Sequence, residues 1–259
     1  MTQKPEYSDK VIALLELRWG EGFMSPGGAE EVAHILDGVD LRGRRVLDVG
    51  CGVGGVDVLL VREHGAGHVT GIDIEQPLID RAAARADGAG LGDRIAFRRV
   101  EPGPLPFDTD SFDAAFSKDA IIQIPDKAAV FAEVFRVLRP GGVIALSDWF
   151  RGAAPLSEET EAWMRLAGLR FHLQTIEDAA RAITDAGFTV LRTRDRNAWY
   201  REHTRAEVAR TEGPQHRAQL IEILGEEDAE RLIESACMRA IATAQGHLRP
   251  GHIHARKPD

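Results

Sequence analysis

Val46-Leu47-Asp48-Val49-Gly50-Cys51-Gly52-Val53-Gly54-Gly55 is a short apolar run that ends in a glycine-rich turn and then enters a helical pattern. Glycine has no Cβ and adopts positive φ at no cost, so such a turn can bring its backbone against a bound ligand. About twenty residues on, Gly71-Ile72-Asp73-Ile74 closes a second apolar run on an acid, where a carboxylate can accept hydrogen bonds from both ribose hydroxyls. The pairing predicts a nucleoside site at the head of a sheet.

Outward from that turn, short runs rich in Val, Ile and Phe alternate with helical patterns, the mark of repeated βα units. The expected strands are 45–49, 68–73, 95–100, 112–117 and 143–148. Val130, Val134, Val137 and Leu138 recur at helical spacing over 126–138, and Arg139-Pro140-Gly141-Gly142 is expected to stop that helix. A helix over 176–186 and a strand over 188–194 follow. Residues 198–245 are charged and helical in pattern, and 252–255 reads as a last short strand. Ahead of the core, 7–28 shows an apolar helical face through Val11, Leu14, Leu15 and Trp19. The expected class is α/β: a Rossmann-like, seven-stranded, mostly parallel sheet flanked by helices. Its parts are a helical lid (1–29), the core (30–197), a helical cap inserted before the last strand (198–246), and that strand (247–259).

The 259 residues are enough for a sizeable core, and 44% hydrophobic with 28% charged is an ordinary globular balance. A net charge of -9 argues against nucleic acid and anionic membrane partners, which draw affinity from clustered Lys and Arg. With no signal peptide or membrane-spanning run in the sequence, a cytoplasmic location is expected. The two cysteines, Cys51 and Cys237, lie far apart and outside metal-ligand spacing. Cys51 reads as a small residue filling a tight turn rather than as a reactive thiol. His247, His252 and His254 lack a convincing set of partner ligands, so no metal is expected.

Gly50, Gly52 and Gly55 also satisfy the dinucleotide fingerprint, so the glycines alone do not decide the cofactor. Asp48 does. A carboxylate just before the first glycine would repel a pyrophosphate but attract a cationic sulfonium and an amino-acid ammonium group. A nicotinamide or flavin oxidoreductase therefore stays as an alternative that Asp48 disfavours.

The stretch resembles the class I S-adenosylmethionine-dependent methyltransferases. Leu105-Pro106-Phe107, Ser111-Phe112-Asp113 and Val137-Leu138-Arg139-Pro140-Gly141-Gly142 look like that superfamily's later signatures, in order. The resemblance covers roughly residues 30–150. It implies an S-adenosylmethionine cofactor, with Gly50, Gly52 and Gly54 along its methionine part, Asp73 on the ribose, Ile74 on the adenine and Glu101 near the adenine amine. Asp48, Cys51, Pro102 and Ser117 are the neighbouring positions assigned to the same site.

A narrower likeness lies in Tyr7-Ser8-Asp9, in Trp19-Gly20-Glu21-Gly22-Phe23-Met24-Ser25-Pro26-Gly27-Gly28 and in Ser117-Lys118-Asp119-Ala120-Ile121. These resemble segments of the phosphoethanolamine N-methyltransferases. By that resemblance Tyr7 closes over the site and positions the amine, Met24 and Ser25 contact the cofactor, and Asp119 faces the acceptor amine. Where the family has a histidine paired with the tyrosine, this chain has Gln123, which cannot serve as a base at neutral pH. Trp149, Arg165, Leu169 and Phe171 occupy the stretch that carries the family's phosphate-binding tyrosines and arginine, and Arg239 stands as the remaining basic contact. Trp149 and Phe171 could cradle a cationic amine on their ring faces, and Arg165 and Arg239 could pair with a carboxylate.

The expectation is thus a methyltransferase acting on a small-molecule acceptor, with nitrogen favoured over oxygen or carbon by the narrower likeness alone. A homodimer is compatible with it. A catalytically silent cofactor-binding regulator is the remaining alternative, for which Gln123 is the hint.

Overall fold

The computed structural model describes residues 7–168 and 170–259, so Leu169 lies outside the described residues. β1 (Arg45–Val49), β2 (His68–Asp73), β3 (Ile95–Arg99), β4 (Phe112–Lys118) and β5 (Leu138–Phe150) run parallel. β6 (Thr189–Asp195) and β7 (Arg249–Arg256) complete a seven-stranded sheet of order β3-β2-β1-β4-β5-β7-β6, with β7 antiparallel to both neighbours. The α/β class and the mostly parallel sheet expected from the sequence are those observed.

β1 buries Val46, Leu47, Asp48 and Val49, as a central parallel strand covered on both faces must. α3 (Gly55–Arg62), α4 (Gln76–Gly88), α5 (Lys127–Val137) and α7 (Ile176–Asp185) flank the sheet. Phe131, Val134 and Val137 of α5 sit on one core with Leu47, Ile144 and Leu146, and Asp126 caps that helix by accepting from the Ala129 amide at 3.0 Å.

The run 139–142 does end a helix, but it does so inside a strand. Leu138 pairs with Phe112 and Val143 with Ala114, so the residues between them bulge, with Gly141 at φ 73°. β5 thereby starts earlier than expected and extends to Phe150, and β7 is twice the expected length.

Ahead of the sheet lie α1 (Asp9–Trp19) and α2 (Gly28–Ile35). α6 (Glu158–Leu166) follows β5, and α8 (Asn197–Thr211), α9 (Pro214–Leu224) and α10 (Glu226–Ala244) intervene between β6 and β7. The crossover between β1 and β4, where the chain leaves in opposite directions, is the crevice at which open α/β sheets bind ligands.

One buried ionic joint anchors these additions. Glu31 of α2 receives Arg196 through two hydrogen bonds of 3.0 and 2.6 Å, and His252 Nε2 of β7 lies 2.7 Å from it. Burial opposes ionisation of Glu31, but His252 and Arg196 outweigh it and hold the carboxyl down at about 2. A carboxyl with a depressed folded pKa stabilises the fold above its unfolded value, and that contribution fades as pH falls toward 2. Glu31→Gln should flatten the acid limb of a melting-temperature profile between about pH 4.5 and 2. An unchanged limb would show that the joint carries no pH-dependent stability.

Candidate functional site

The carboxyl ends of β1, β2, β4 and β5 deliver the chemistry. β1 ends in the glycine turn, where Gly50, Gly52 and Gly54 have φ of 82°, 54° and 79°. A Cβ on Gly50 would stand 2.2 Å from Ala120 Cβ, and one on Gly55 would stand 2.2 Å from the Gly22 carbonyl oxygen. The turn is thus pressed between the segment after β4 and the segment after α1, leaving no room for side chains.

Gly22, Phe23, Met24, Ser25, Asp48, Gly50, Cys51, Gly52, Val53, Val56 and Lys118 line a cavity of about 40 Å³. Ligand pockets commonly span roughly 300 Å³ or more, and residues 22–25 form the side of this narrow cavity that faces the glycine turn. Met24 already fills space over the turn, its Sδ 3.0 Å from where a Gly52 Cβ would be.

Asp73 ends β2 with Oδ2 accepting from the Gly52 amide at 3.1 Å and Oδ1 from the Glu75 amide at 3.0 Å. Burial pushes its carboxyl up, against those amide bonds. Ile74 beside it is 52% exposed, an apolar side chain turned to the outside at the edge of the cleft. Glu101 is exposed and paired with Arg99 at 2.6 Å, with Pro102 exposed next to it.

Beneath the turn, Asp48 and Asp57 are both buried, and Asp48 Oδ1 and both carboxylate oxygens of Asp57 lack hydrogen-bond partners. Burial, reinforced for Asp48 by the Asp57 charge, raises Asp48 well above the carboxylate range and Asp57 to about 7. Acids that burial holds toward the protonated form ionise more readily beside a cation and less readily beside an anion, so Asp48 and Asp57 under a side-chain-free turn, with Asp73 and Ile74, fit a cationic adenosyl ligand better than a pyrophosphate. Cys51 is buried and its thiol pushed well up by burial, as for an inert packing residue.

After β4 the chain carries the acceptor-side candidates. Ser117 is buried and its hydroxyl donates to the Val49 carbonyl at 2.8 Å, which ties β4 to β1. Asp119 has a positive φ of 57°, rare for a residue with a side chain, and pairs with Lys118 at 2.9 Å. A one-turn helix, Ile121–Gln123, then presents Gln123, whose Nε2 donates to the Tyr7 hydroxyl at 2.8 Å. Tyr7 and Gln123 are 116 positions apart in sequence, and the fold makes them direct partners.

Trp149 at the end of β5 stacks on Phe171 at 6.5 Å and meets Tyr200 edge-on at 4.7 Å, forming an aromatic wall with Trp163 and Trp199. Arg165 is not part of it. Its side chain is 71% exposed beside Glu161, because Trp163 takes the inward face of α6 and two residues on points the other way. Arg239 is buried and bonded to Glu207, which also holds Arg18 of α1. The histidines have structural partners: His252 is on Glu31, and His254 Nε2 is 2.5 Å from the Ile35 carbonyl.

Several contributors went unread in the sequence. Asp148, fully buried at the end of β5, has its carboxyl raised to about 8 by burial and then by Asp119. Tyr200, Arg18, Glu207 and Asp57 also stand in or under the site. Tyr200 had a signal, since the chain has two tyrosines and the other was already a candidate.

Residues 46–142 match the family model described as a methyltransferase domain. Phosphoethanolamine N-methyltransferase 1 of Triticum aestivum is 32% identical over 208 residues, covering 80% of this chain and 41% of that protein. The solved Haemonchus contortus phosphoethanolamine N-methyltransferase 2, in complex with phosphomonomethylethanolamine and S-adenosylhomocysteine, superposes with a TM-score of 0.88 at 25% identity, covering 98% of this chain and 59% of that one. A putative sarcosine dimethylglycine methyltransferase from Galdieria sulphuraria shares the fold at TM-score 0.82 and 22% identity, covering 97% and 98% of the two chains. The chain therefore spans less than half of the wheat relative and about three fifths of the worm enzyme. These matches show that the chain carries a methyltransferase domain over residues 46–142 and is similar in sequence and fold to the phosphoethanolamine N-methyltransferases.

Proposed function

We propose that this chain methylates the nitrogen of a small amine that also carries an anionic group. The observation that carries the reading is the Tyr7–Gln123 hydrogen bond next to Asp119, with Ala120 of the same segment packed into the space beside Gly50. The acceptor wall thus abuts the end of the cofactor cleft assigned to the methionine part.

S-adenosylmethionine, when bound, would supply a sulfonium methyl group that an amine lone pair can take in line, forming the N–C bond as the C–S bond breaks and S-adenosylhomocysteine leaves as the neutral thioether. Gly50, Gly52 and Gly54 would let the backbone approach the cofactor, Asp73 would hold the ribose, Ile74 would cover the adenine, and Met24 and Ser25 would close from the lid side. Gln123 fixes the Tyr7 phenol by donating to it but cannot remove a proton, so the amine would arrive neutral or pass its proton to solvent or to a neighbouring carboxylate such as Asp119. Positioning then supplies the rate, since alignment at near-contact distance replaces the entropy of encounter. Of the aromatic wall, Phe171 is partly exposed and could meet the methylated cation, with Trp149 and Tyr200 packed behind it. Arg239, buried with Arg18 against a single carboxylate, leaves a positive charge over for the acceptor's anion. Free Cys51 and Cys237 fit a reducing cytoplasm, and no described helix is long and apolar enough to cross a membrane.

Labelled S-adenosylmethionine offered with phosphoethanolamine and sarcosine tests the reading. Label is expected in the amine, and Tyr7→Phe or Asp119→Asn should each lower kcat/KM roughly tenfold or more. No labelled amine, or both variants at wild-type rate, would sink it.

A further inference from the structure

Lys118 is the side chain through which the cofactor side of the cleft meets the acceptor side. It is a buried lysine, 8% exposed, between the glycine turn and Asp119, and it lines the cofactor cavity. An ammonium has three donors, and here each has an acceptor from a different residue. Lys118 Nζ donates to Ser25 Oγ, to the Pro26 carbonyl at 2.9 Å and to Asp119 Oδ2 at 2.9 Å. Two of those acceptors continue directly from Gly22–Met24, which cover the turn, and the third is the acceptor-side acid. Asp119 is otherwise held by the Ser147 hydroxyl at 3.1 Å, on a backbone at positive φ that is strained for a residue with a side chain and needs its contacts to persist.

We propose that Lys118 is a positioning residue that makes closure of residues 22–26 over the cofactor and placement of Asp119 a single event. When the lid segment is out, the ammonium loses two of its three acceptors in a buried place, and Asp119 loses a partner whose position was set by them. When the segment closes, Ser25 and Pro26 re-seat Lys118 and the carboxylate with it. Cofactor binding then prepares the acceptor site with no contact between cofactor and acceptor. Stability alone is a poor reason for such a pair, because a buried ion pair often contributes no more than an apolar replacement.

The inference rests on the cofactor cleft and not on the identity of the acceptor. Hydrogen exchange with S-adenosylhomocysteine as the probe tests it. In the wild type the ligand should slow exchange in 22–26 and 119–123 together. Lys118→Met should lower affinity for the probe about tenfold, 1.4 kcal/mol, and abolish protection of 119–123 while residues 68–73 stay as slow as before. Ser25→Ala, which keeps the charge pair and removes one lid contact, should fall between, and Lys118→Arg should restore part of the joint protection. A merely structural lysine would lower the melting temperature of Lys118→Met and leave joint protection intact in the folded protein. That result, or probe affinity within twofold of wild type, overturns the proposal. A wild type that shows joint protection yet methylates no amine would sink the acceptor reading and leave this one standing.

Discussion

Glu207→Ala is expected to destabilise the protein by about 3–5 kcal/mol, the range for removing one partner from a buried ion pair. Glu207 of α8 joins Arg18 of α1 to Arg239 of α10, and all three side chains are at least 87% buried. Burial opposes ionisation of Glu207, but Arg239 and Arg18 outweigh it and hold its carboxyl below the usual range, while burial draws Arg18 down. Without the carboxylate two guanidiniums face each other in a dry place, and Arg18 Nη2 and Arg239 Nε already lack partners. At roughly 2–4 °C per kcal/mol for a chain of this size, the melting temperature should fall by about 10 °C. Asp228→Ala is the matched control: it breaks the exposed Lys10–Asp228 pair, which joins the same two helices, and should cost under about 1 kcal/mol. If the two variants melt alike, the buried triad is not what ties α1 to α8 and α10.

Gly50→Ala should weaken S-adenosylhomocysteine binding at least a hundredfold, about 2.7 kcal/mol. The new methyl would lie 2.2 Å from Ala120 Cβ on a backbone at φ 82°, so it meets both a clash and the cost of a left-handed conformation. Those contribute about 1–3 and 1–2 kcal/mol. Ala120 leads into the turn bearing Gln123, so the push reaches the acceptor wall as well as the cofactor loop. Adding Ala120→Gly should recover part of the affinity, because it removes the clash and leaves the φ strain. Gly88→Ala, in α4 with nothing within 4 Å, should be neutral or slightly stabilising. Calorimetric titration decides it, and wild-type affinity for Gly50→Ala would refute the close-packed turn.

The glycine turn after β1 and the acid that ends β2 were legible because their signals are local. A strand, a glycine-rich turn and an acid at the end of the next strand are ordered by backbone geometry, so the turn at Gly50–Gly55 and Asp73 could be placed at the head of the sheet from spacing. The acceptor half was legible only through family likeness, which named Tyr7, Asp119 and Gln123 without showing that two of them touch. Arg165 and Arg239 looked alike in sequence as cations on helices. One faces solvent and the other is buried against Glu207, since the neighbour that claims a helix's inward face settles where a charge points.

From its own residues, then, the chain dictates the alternation of strands and helices, the lack of side chains at the turn and the acids around it. These are short-range consequences of apolar periodicity and of what glycine permits. Only the folded sheet settles that Lys118 reaches back to Ser25, that Gln123 meets Tyr7 and that Glu207 bridges two arginines, because each contact joins residues at least 32 positions apart. Their partners are chosen by which strand ends and helix faces converge, and that is a property of the whole packing.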